Sequence, residues 1–149
     1  MSKKLSFKGT LDMGVQDKIN LKTLNGKTGY KITKFQLMST TPGVNKYEYI
    51  GQIFKTNQAG SITSTVDFTH GDLLAVTYLK GNSGANDAGF DEIIIFDNEK
   101  FNQNIFINIT DASGGTVACN YYIELETMSL SDIQTTQLTL QSLRNIASR

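Results

Sequence analysis

The chain contains very little cysteine, proline, histidine or tryptophan, and each shortage excludes a class of protein. Its single cysteine, Cys119, excludes an intramolecular disulfide framework and any zinc site built from several cysteines. Its single histidine, His70, excludes mechanisms that need two, and its single proline excludes collagen-like and polyproline chains. No apolar run approaches the roughly 18 residues of a membrane helix, and no apolar stretch follows the N-terminal lysines. We therefore expect neither a membrane-spanning segment nor a secretory signal.

The residues that are abundant are those typical of β-strands. Val, Ile, Thr, Phe and Tyr together supply one third of the 149 residues, and these side chains fit a pleated, half-buried surface. Thirteen glycines and many Asn and Asp residues divide the chain at short intervals, as turns require. Since the length suits a single domain, the composition predicts one all-β domain.

Eight segments either alternate apolar and polar residues or are apolar throughout, and turn residues bound each of them. Each segment is therefore predicted to be a strand. They are residues 19–22, 30–38, 47–54, 62–68, 73–79, 93–96, 105–109 and 117–125, with residues 5–11 as a ninth if that segment also pairs. Asn25-Gly26 predicts a tight hairpin turn. Residues 73–79 and 93–96 are apolar on both faces, which predicts two central strands. The set predicts an antiparallel β-sandwich, or jelly-roll-like domain, over residues 1–128.

Residues 129–149 have a different pattern and are predicted to form a C-terminal α-helix. Ser131 and Gln134 fit a capping box. The apolar residues that follow fall near one helical stripe, formed by Ile133, Leu140, Leu143 and Ile146. Several threonines would make this helix marginal in isolation. Two interpretations are open: a helix folded back onto its own sandwich, or an assembly arm ordered against a neighbouring subunit.

Few residues are candidates for catalysis. His70 lies in a predicted turn, where Asp67 or Asp72 could orient it as a general base, but no nucleophile motif accompanies it. Cys119 lies on the inward face of a predicted strand, where a thiol acts as a small hydrophobic side chain. We therefore predict a protein that is not an enzyme and has no cofactor.

The metal candidates are three carboxylates in and after a glycine-rich loop. Asp87, Asp91 and Glu92 offer the oxygen ligands that Ca²⁺ prefers. They lack the ligand spacing of a calcium-binding loop, and loop carboxylates are ordinarily solvated. They are kept as weak calcium candidates, and no metal site is predicted.

Charge is distributed unevenly along a chain whose net charge is zero. Residues 1–56 carry a net charge of +7 and residues 57–149 a net charge of −7. Two interpretations are open: strands from the two parts interleave and their charges cancel locally, or the two signs form separate patches that pair between copies. The second interpretation makes Lys31 and Lys34 interface candidates, together with the C-terminal apolar stripe. Nucleic acid is disfavoured as a partner because no arginine precedes residue 144 and no basic–aromatic motif is present.

The C-terminal residues resemble a known group of proteins. Asn120-Tyr121-Tyr122-Ile123-Glu124-Leu125-Glu126, followed by a polar segment that ends with residues 140–146, resembles the C-terminal pattern of small structural proteins of marine tailed bacteriophages. The likeness covers only this end of the chain, and none of its motifs carries chemistry. It implies a virion component, and the length suits a minor capsid, decoration or cement protein better than a shell protein.

Two functional classes remain open. The first is a bacteriophage virion protein that contacts other copies of itself and other virion proteins, assembled in the reducing cytoplasm of the host, where a free buried cysteine persists. The alternative is a lectin-like module that binds a glycan receptor. Such a module usually presents exposed aromatic rings, which here would require clustering of Tyr47, Tyr49, Tyr78 and Tyr122.

Overall fold

A computed structural model describes residues 3–21, 27–42, 46–81, 90–96 and 99–131, together with Gln134, Gln137, Leu138 and Leu140. Eight β-strands form two antiparallel sheets within these residues. The strands are β1 (Lys4–Leu11), β2 (Gln16–Ile19), β3 (Thr28–Ser39), β4 (Tyr47–Phe54), β5 (Leu73–Gly81), β6 (Phe90–Ile95), β7 (Ile105–Asp111) and β8 (Cys119–Ser129). The prediction of an all-β, antiparallel domain of about eight strands is confirmed.

The strands pair in a nested order. The three-stranded sheet has the order β1-β8-β3, and the five-stranded sheet has the order β2-β7-β4-β5-β6. Three pairs are nested along the chain, each inside the previous one: β1–β8, β2–β7 and β4–β5. Two further pairs complete the sheets, β3–β8 in the first and β4–β7 in the second. Strand β6 pairs with β5. After β6, the chain contacts β3 at an isolated bridge, where Phe101 and Tyr30 of β3 exchange backbone hydrogen bonds of 2.8 and 3.0 Å.

One hydrophobic core joins the two sheets in a β-sandwich-like arrangement. The three-stranded sheet contributes fully buried side chains from β3 and β8, and the five-stranded sheet contributes them mainly from β4 and β7. The largest of these are Phe35, Tyr49, Ile53, Ile105, Ile107, Ile109, Ile123 and Leu125. Alternate residues of each strand therefore face a shared interior, as the alternating pattern predicted.

A β-bulge in β3 explains why the apolar alternation of that strand changes phase. Ile32 and Phe35 both face the core although they are three residues apart, because the register with β8 shifts between Ile32 and Lys34. Thr33 is the extra residue, and its hydroxyl donates a hydrogen bond of 3.1 Å to the carbonyl oxygen of Glu124. The bulge therefore keeps apolar side chains inward on both sides of Thr33.

The predicted strand at residues 62–68 is wrong. This segment belongs to the irregular connection between β4 and β5, residues 55–72. Its alternating side chains include Val66 and Phe68, which remain 38% and 55% exposed. A period-two pattern does not produce a strand here, since the segment is held by side-chain hydrogen bonds instead of a ladder.

The predicted position of residues 93–96 is also wrong, as is the predicted hairpin. Strand β6 lies at the edge of the five-stranded sheet, whereas β5 is an interior strand, as predicted. Strands β2 and β3 lie in different sheets, so no hairpin ladder joins them, and β2 ends at Ile19, where the predicted strand begins. The Asn25-Gly26 turn itself lies outside the described residues.

Little of the predicted C-terminal helix falls within the described residues, and no continuous helix lies among them. The predicted capping box is formed: the Gln134 amide donates to Ser131 Oγ at 3.2 Å, and the Ser131 amide donates to Gln134 Oε1 at 3.1 Å. The predicted stripe lies mostly outside the described part, at Ile133, Leu143 and Ile146, while Leu140 is helical and exposed. No helix in the described part is long and apolar enough to cross a bilayer.

Candidate functional sites

The outer face of the three-stranded sheet carries the lysines predicted to be interface candidates. Lys31 and Lys34 lie opposite Glu126 and Glu124 of β8, and Lys4 of β1 forms an ion pair of 3.5 Å with Glu124. Basic strands from the first part of the chain thus flank an acidic strand from the last part. On this face, strand interleaving accounts for the charge split found in the sequence.

Cys119 and Tyr121 are inward-facing residues of β8. Burial raises the pKa of the Cys119 thiol to about 12, so the thiolate does not form at neutral pH. Burial also raises the pKa of Tyr121, whose hydroxyl donates a hydrogen bond of 2.8 Å to Asp17 Oδ2. Cys119 is therefore a buried core residue, as predicted from the pattern.

The four tyrosines considered for glycan binding do not cluster on one surface. Tyr49 is buried in the core, where its hydroxyl donates to the carbonyl oxygen of Val117 at 3.1 Å, and Tyr47 stacks on it with ring centroids 4.7 Å apart. Tyr78 packs with the outer apolar cluster of the five-stranded sheet. Tyr122 alternates with inward-facing residues on the other sheet. The expected aromatic surface is not formed.

The calcium candidates are not brought together. Asp91 and Glu92 are neighbours on β6, so their side chains point to opposite faces of the sheet, and both are exposed. Asp87 lies outside the described residues. Among the residues that are described, no group of three or more His, Cys, Asp or Glu side chains is arranged to hold a metal ion.

His70 lies at the surface in the turn before β5. Its Nδ1 accepts a hydrogen bond of 3.2 Å from the backbone amide of Asp72. Asp67 accepts hydrogen bonds from the hydroxyl and the amide of Thr69, which lower the pKa of this carboxyl. The carboxylate of Asp72 accepts a short hydrogen bond from the hydroxyl of Thr56. Among the described hydrogen bonds, both carboxylates bind threonines, and neither binds the His70 ring, as a carboxylate that orients a general base would.

Buried polar side chains concentrate in and beneath the β4–β5 connection, residues 55–72. Four of them belong to it or end it, namely Lys55, Thr56, Gln58 and Asp72. Gln52 of β4 lies beneath, and its Nε2 donates to the carbonyl oxygens of Thr65 and Thr63 at 3.2 and 3.4 Å. The hydroxyl of Ser64 bonds that of Thr110 at 3.1 Å. These contacts hold the connection against the outer face of the five-stranded sheet.

The connection encloses a pocket of about 150 Å³, here called the polar pocket. Gln52 and Asn108 lie directly opposite each other on β4 and β7 and line its sheet side, and the connection lines the rest with Thr63, Thr65, Asp67 and His70. Asn108 is 2% exposed. Its Oδ1 is the one buried side-chain polar atom in the described part of the chain that has no hydrogen-bond partner.

A second concavity, of about 360 Å³, opens between β3 and β8 of the three-stranded sheet and β5 and β6 of the five-stranded sheet. It is here called the open mouth. Its apolar lining comes from Leu37 and Met38 of β3, Leu79 of β5 and Ile93 of β6. Met38 is 60% exposed and Ile93 is 38% exposed. The edge of β3 beyond Tyr30 and the outer edge of β6, which pair with no described strand, border this mouth.

Sequence reasoning missed both concavities, although a signal for the polar pocket was present. Gln52 and Asn108 are amides that interrupt apolar strands, and in each strand they occupy the outward-facing phase. Two such interruptions indicate a polar feature on one face of a sheet. The open mouth had no comparable signal, because it depends on which strands are neighbours.

Comparison of the chain with known protein families, with curated proteins and with solved structures finds no match.

Proposed function

We propose that this protein is a structural component of a bacteriophage particle, of the minor capsid, decoration or cement type. It works through association with other copies of itself and with other virion proteins. The observation that carries the proposal is the open mouth, where apolar side chains and two strand edges are exposed together. The sequence resemblance of residues 120–146 to phage structural proteins supports the same class.

The strand order supports a jelly-roll-like fold, which viral capsid proteins and lectins use. Nested pairing of eight strands leads to four pairs, of which β1–β8, β2–β7 and β4–β5 are formed. The fourth, β3–β6, is not formed among the described strands, where β6 pairs with β5 alone. Both β3 and β6 therefore keep an edge with which another strand can pair.

A second copy of the chain supplies the pairing that is missing within one copy. Strand β6 of one copy would lie beside β3 of the next, which places one of its two carboxylates, Asp91 or Glu92, on the same face as Lys31 and Lys34. Opposite charges would set the orientation of this contact. The contact would also cover Met38 and Ile93, which a solitary copy leaves exposed.

Self-association is tested by size-exclusion chromatography with light scattering over a range of protein concentrations. We expect the unaltered protein to form oligomers, and Met38→Lys and Ile93→Lys to shift the mass to that of one copy, because lysine at an edge opposes strand pairing. Val15→Lys is the matched control, since the exposure of Val15, 46%, lies between those of Met38 and Ile93, and Val15 belongs to the β1–β2 connection and does not line the mouth. An unaltered protein that stays monomeric at its highest soluble concentration would contradict the proposal.

The particle itself provides the second test. Mass spectrometry of density-purified particles of the virus that encodes this chain should find its peptides in a fixed ratio to the shell protein. Their absence from intact particles, with the protein present in infected cells, would exclude a virion role.

The alternative is a lectin-like, receptor-binding module. The tyrosine surface on which it depended is not formed, but the polar pocket is a specific observation in its favour.

A further inference from the structure

We propose that the polar pocket binds one small, neutral molecule with several hydroxyl groups, such as a single sugar residue or a polyol. This inference concerns the outer face of the five-stranded sheet and is independent of self-association through the open mouth. It rests on an unsatisfied buried acceptor, on the other polar groups that line the pocket, and on the way in which the pocket is held together.

The unsatisfied acceptor is Asn108 Oδ1. Asn108 occupies the outward phase of β7, between Phe106 and Thr110, and is almost completely buried beneath the β4–β5 connection. A buried acceptor without a donor is destabilising, and such groups are rare in native proteins. No described residue supplies a donor to this oxygen, and Asn108 lines the pocket, so a molecule bound there can supply it. A hydroxyl group is a donor that also brings an acceptor of its own.

The other polar groups of the pocket include both hydrogen-bond acceptors and a hydrogen-bond donor. Asp67 presents a carboxylate, which accepts hydrogen bonds and disfavours an anionic ligand. His70 accepts at Nδ1 from the Asp72 amide, so the neutral ring carries its proton on Nε2 and can donate from there. Phe54 supplies an apolar wall and contacts the imidazole edge-on, with ring centroids 5.1 Å apart. Acceptors, a donor and an apolar ring in one cleft match the mixed surface of a sugar.

The pocket is held in shape before any ligand enters. Both amide hydrogen bonds of Gln52 fix the backbone of residues 63–65, and Ser64 is tied to Thr110 on β7. A site whose groups are already ordered loses less entropy on binding. At about 150 Å³ it is smaller than the roughly 300–1,000 Å³ of pockets for drug-sized ligands, so it suits one ring and not an extended ligand.

Ligand-observed NMR with the full chain tests the proposal. The probes are glucose, galactose, mannose, N-acetylglucosamine, inositol and glycerol, each offered singly at millimolar concentration, with inorganic phosphate as the anionic comparison. We expect at least one neutral probe to bind and phosphate not to bind. Competition among the neutral probes should show that they share one site.

Two variants locate the binding. Asn108→Leu removes the acceptor, and His70→Ala removes the donor at an exposed position. Each variant should weaken binding by about tenfold or more, the equivalent of one hydrogen bond. Asn120→Leu, on the outer face of the other sheet, is the matched control and should bind as the unaltered protein does. If Asn108→Leu fails to fold, His70→Ala decides alone. Absence of binding by every neutral probe, or binding that both variants leave unchanged, would overturn the proposal.

Discussion

The two sheets differ in what lies on their outer faces. The three-stranded sheet exposes rows of charged residues, in which Lys4, Lys31 and Lys34 lie beside Glu124 and Glu126. The five-stranded sheet is covered in part by the β4–β5 connection, residues 55–72, under which amides and apolar side chains are buried. In the sequence, the strands of the three-stranded sheet therefore alternate apolar and polar residues. Strands β5 and β6 of the second sheet contain apolar residues on both faces although they belong to the same two-layered fold.

This difference explains the misplacement of β6. Its residues are apolar in both phases, which ordinarily indicates a central strand buried on both sides. Ile93 and Ile95 face inward toward the open mouth and the core, whereas Phe96, just after β6, lies on the outside against Phe68 with ring centroids 5.3 Å apart. The outer apolar phase is thus covered by a loop of the same chain. A strand that is apolar on both faces need not be central.

The three-stranded sheet depends on the β-bulge at Thr33, and deletion of this residue is expected to have the largest effect on stability. Deleting Thr33 would force either Ile32 or Phe35 out of the core and bring polar side chains inward, since a one-residue slip exchanges the two faces of a strand. We expect the deletion variant to lose cooperative thermal unfolding, measured by circular dichroism.

Thr33→Ala is the control for this deletion. It keeps the number of residues and removes only the hydrogen bond to Glu124, so it should lower the free energy of unfolding by about 1 kcal/mol. A deletion variant that melts like the control would mean that β3 tolerates either register.

Two matched Ile→Ala substitutions compare how deeply β6 and β7 are packed in the five-stranded sheet. Ile107→Ala in interior strand β7 removes a fully buried side chain and should lower the free energy of unfolding by about 2–5 kcal/mol. Ile95→Ala in edge strand β6 removes a half-buried one and should cost less than half of that value. Urea denaturation measures both. Equal losses would mean that β6 is packed as an interior strand.

The sequence was sufficient for what depends on local pattern. Composition and alternation predicted the all-β class, the inward face of β8 and the burial of Cys119. The capping box of Ser131 and Gln134 was predicted from spacing alone and is formed. These features depend on residues that are close in the chain.

Features that depend on which strands become neighbours were not predictable in the same way. Alternation at 62–68 is compatible with a strand or with a segment held by the distant side chains of Gln52 and Thr110. The open mouth exists because β6 pairs with β5 and not with β3. The charge split along the chain likewise had no spatial meaning until β8 was known to lie between β1 and β3.

The smallest effect is expected from charge reversal on the exposed face of the three-stranded sheet. Replacing Lys31 and Lys34 together by Glu sets like charges opposite Glu126 and Glu124. Exposed pairs contribute about 0–1 kcal/mol each, so the free energy of unfolding should fall by about 1–2 kcal/mol in low salt. At about 1 M salt, where the screening length is about 3 Å, most of this loss should disappear. The measurement is made in the Ile93→Lys background, which keeps self-association out of the comparison. Lys46→Glu, an exposed reversal just before β4, is the control and should leave stability nearly unchanged. A loss of more than about 3 kcal/mol, or one that persists in high salt, would contradict this expectation. It would mean that these lysines form ion pairs as strong as that of the buried Lys55, whose ammonium lies 2.8 Å from Glu99. The outer faces of the two sheets would then differ less than the exposure of their residues indicates.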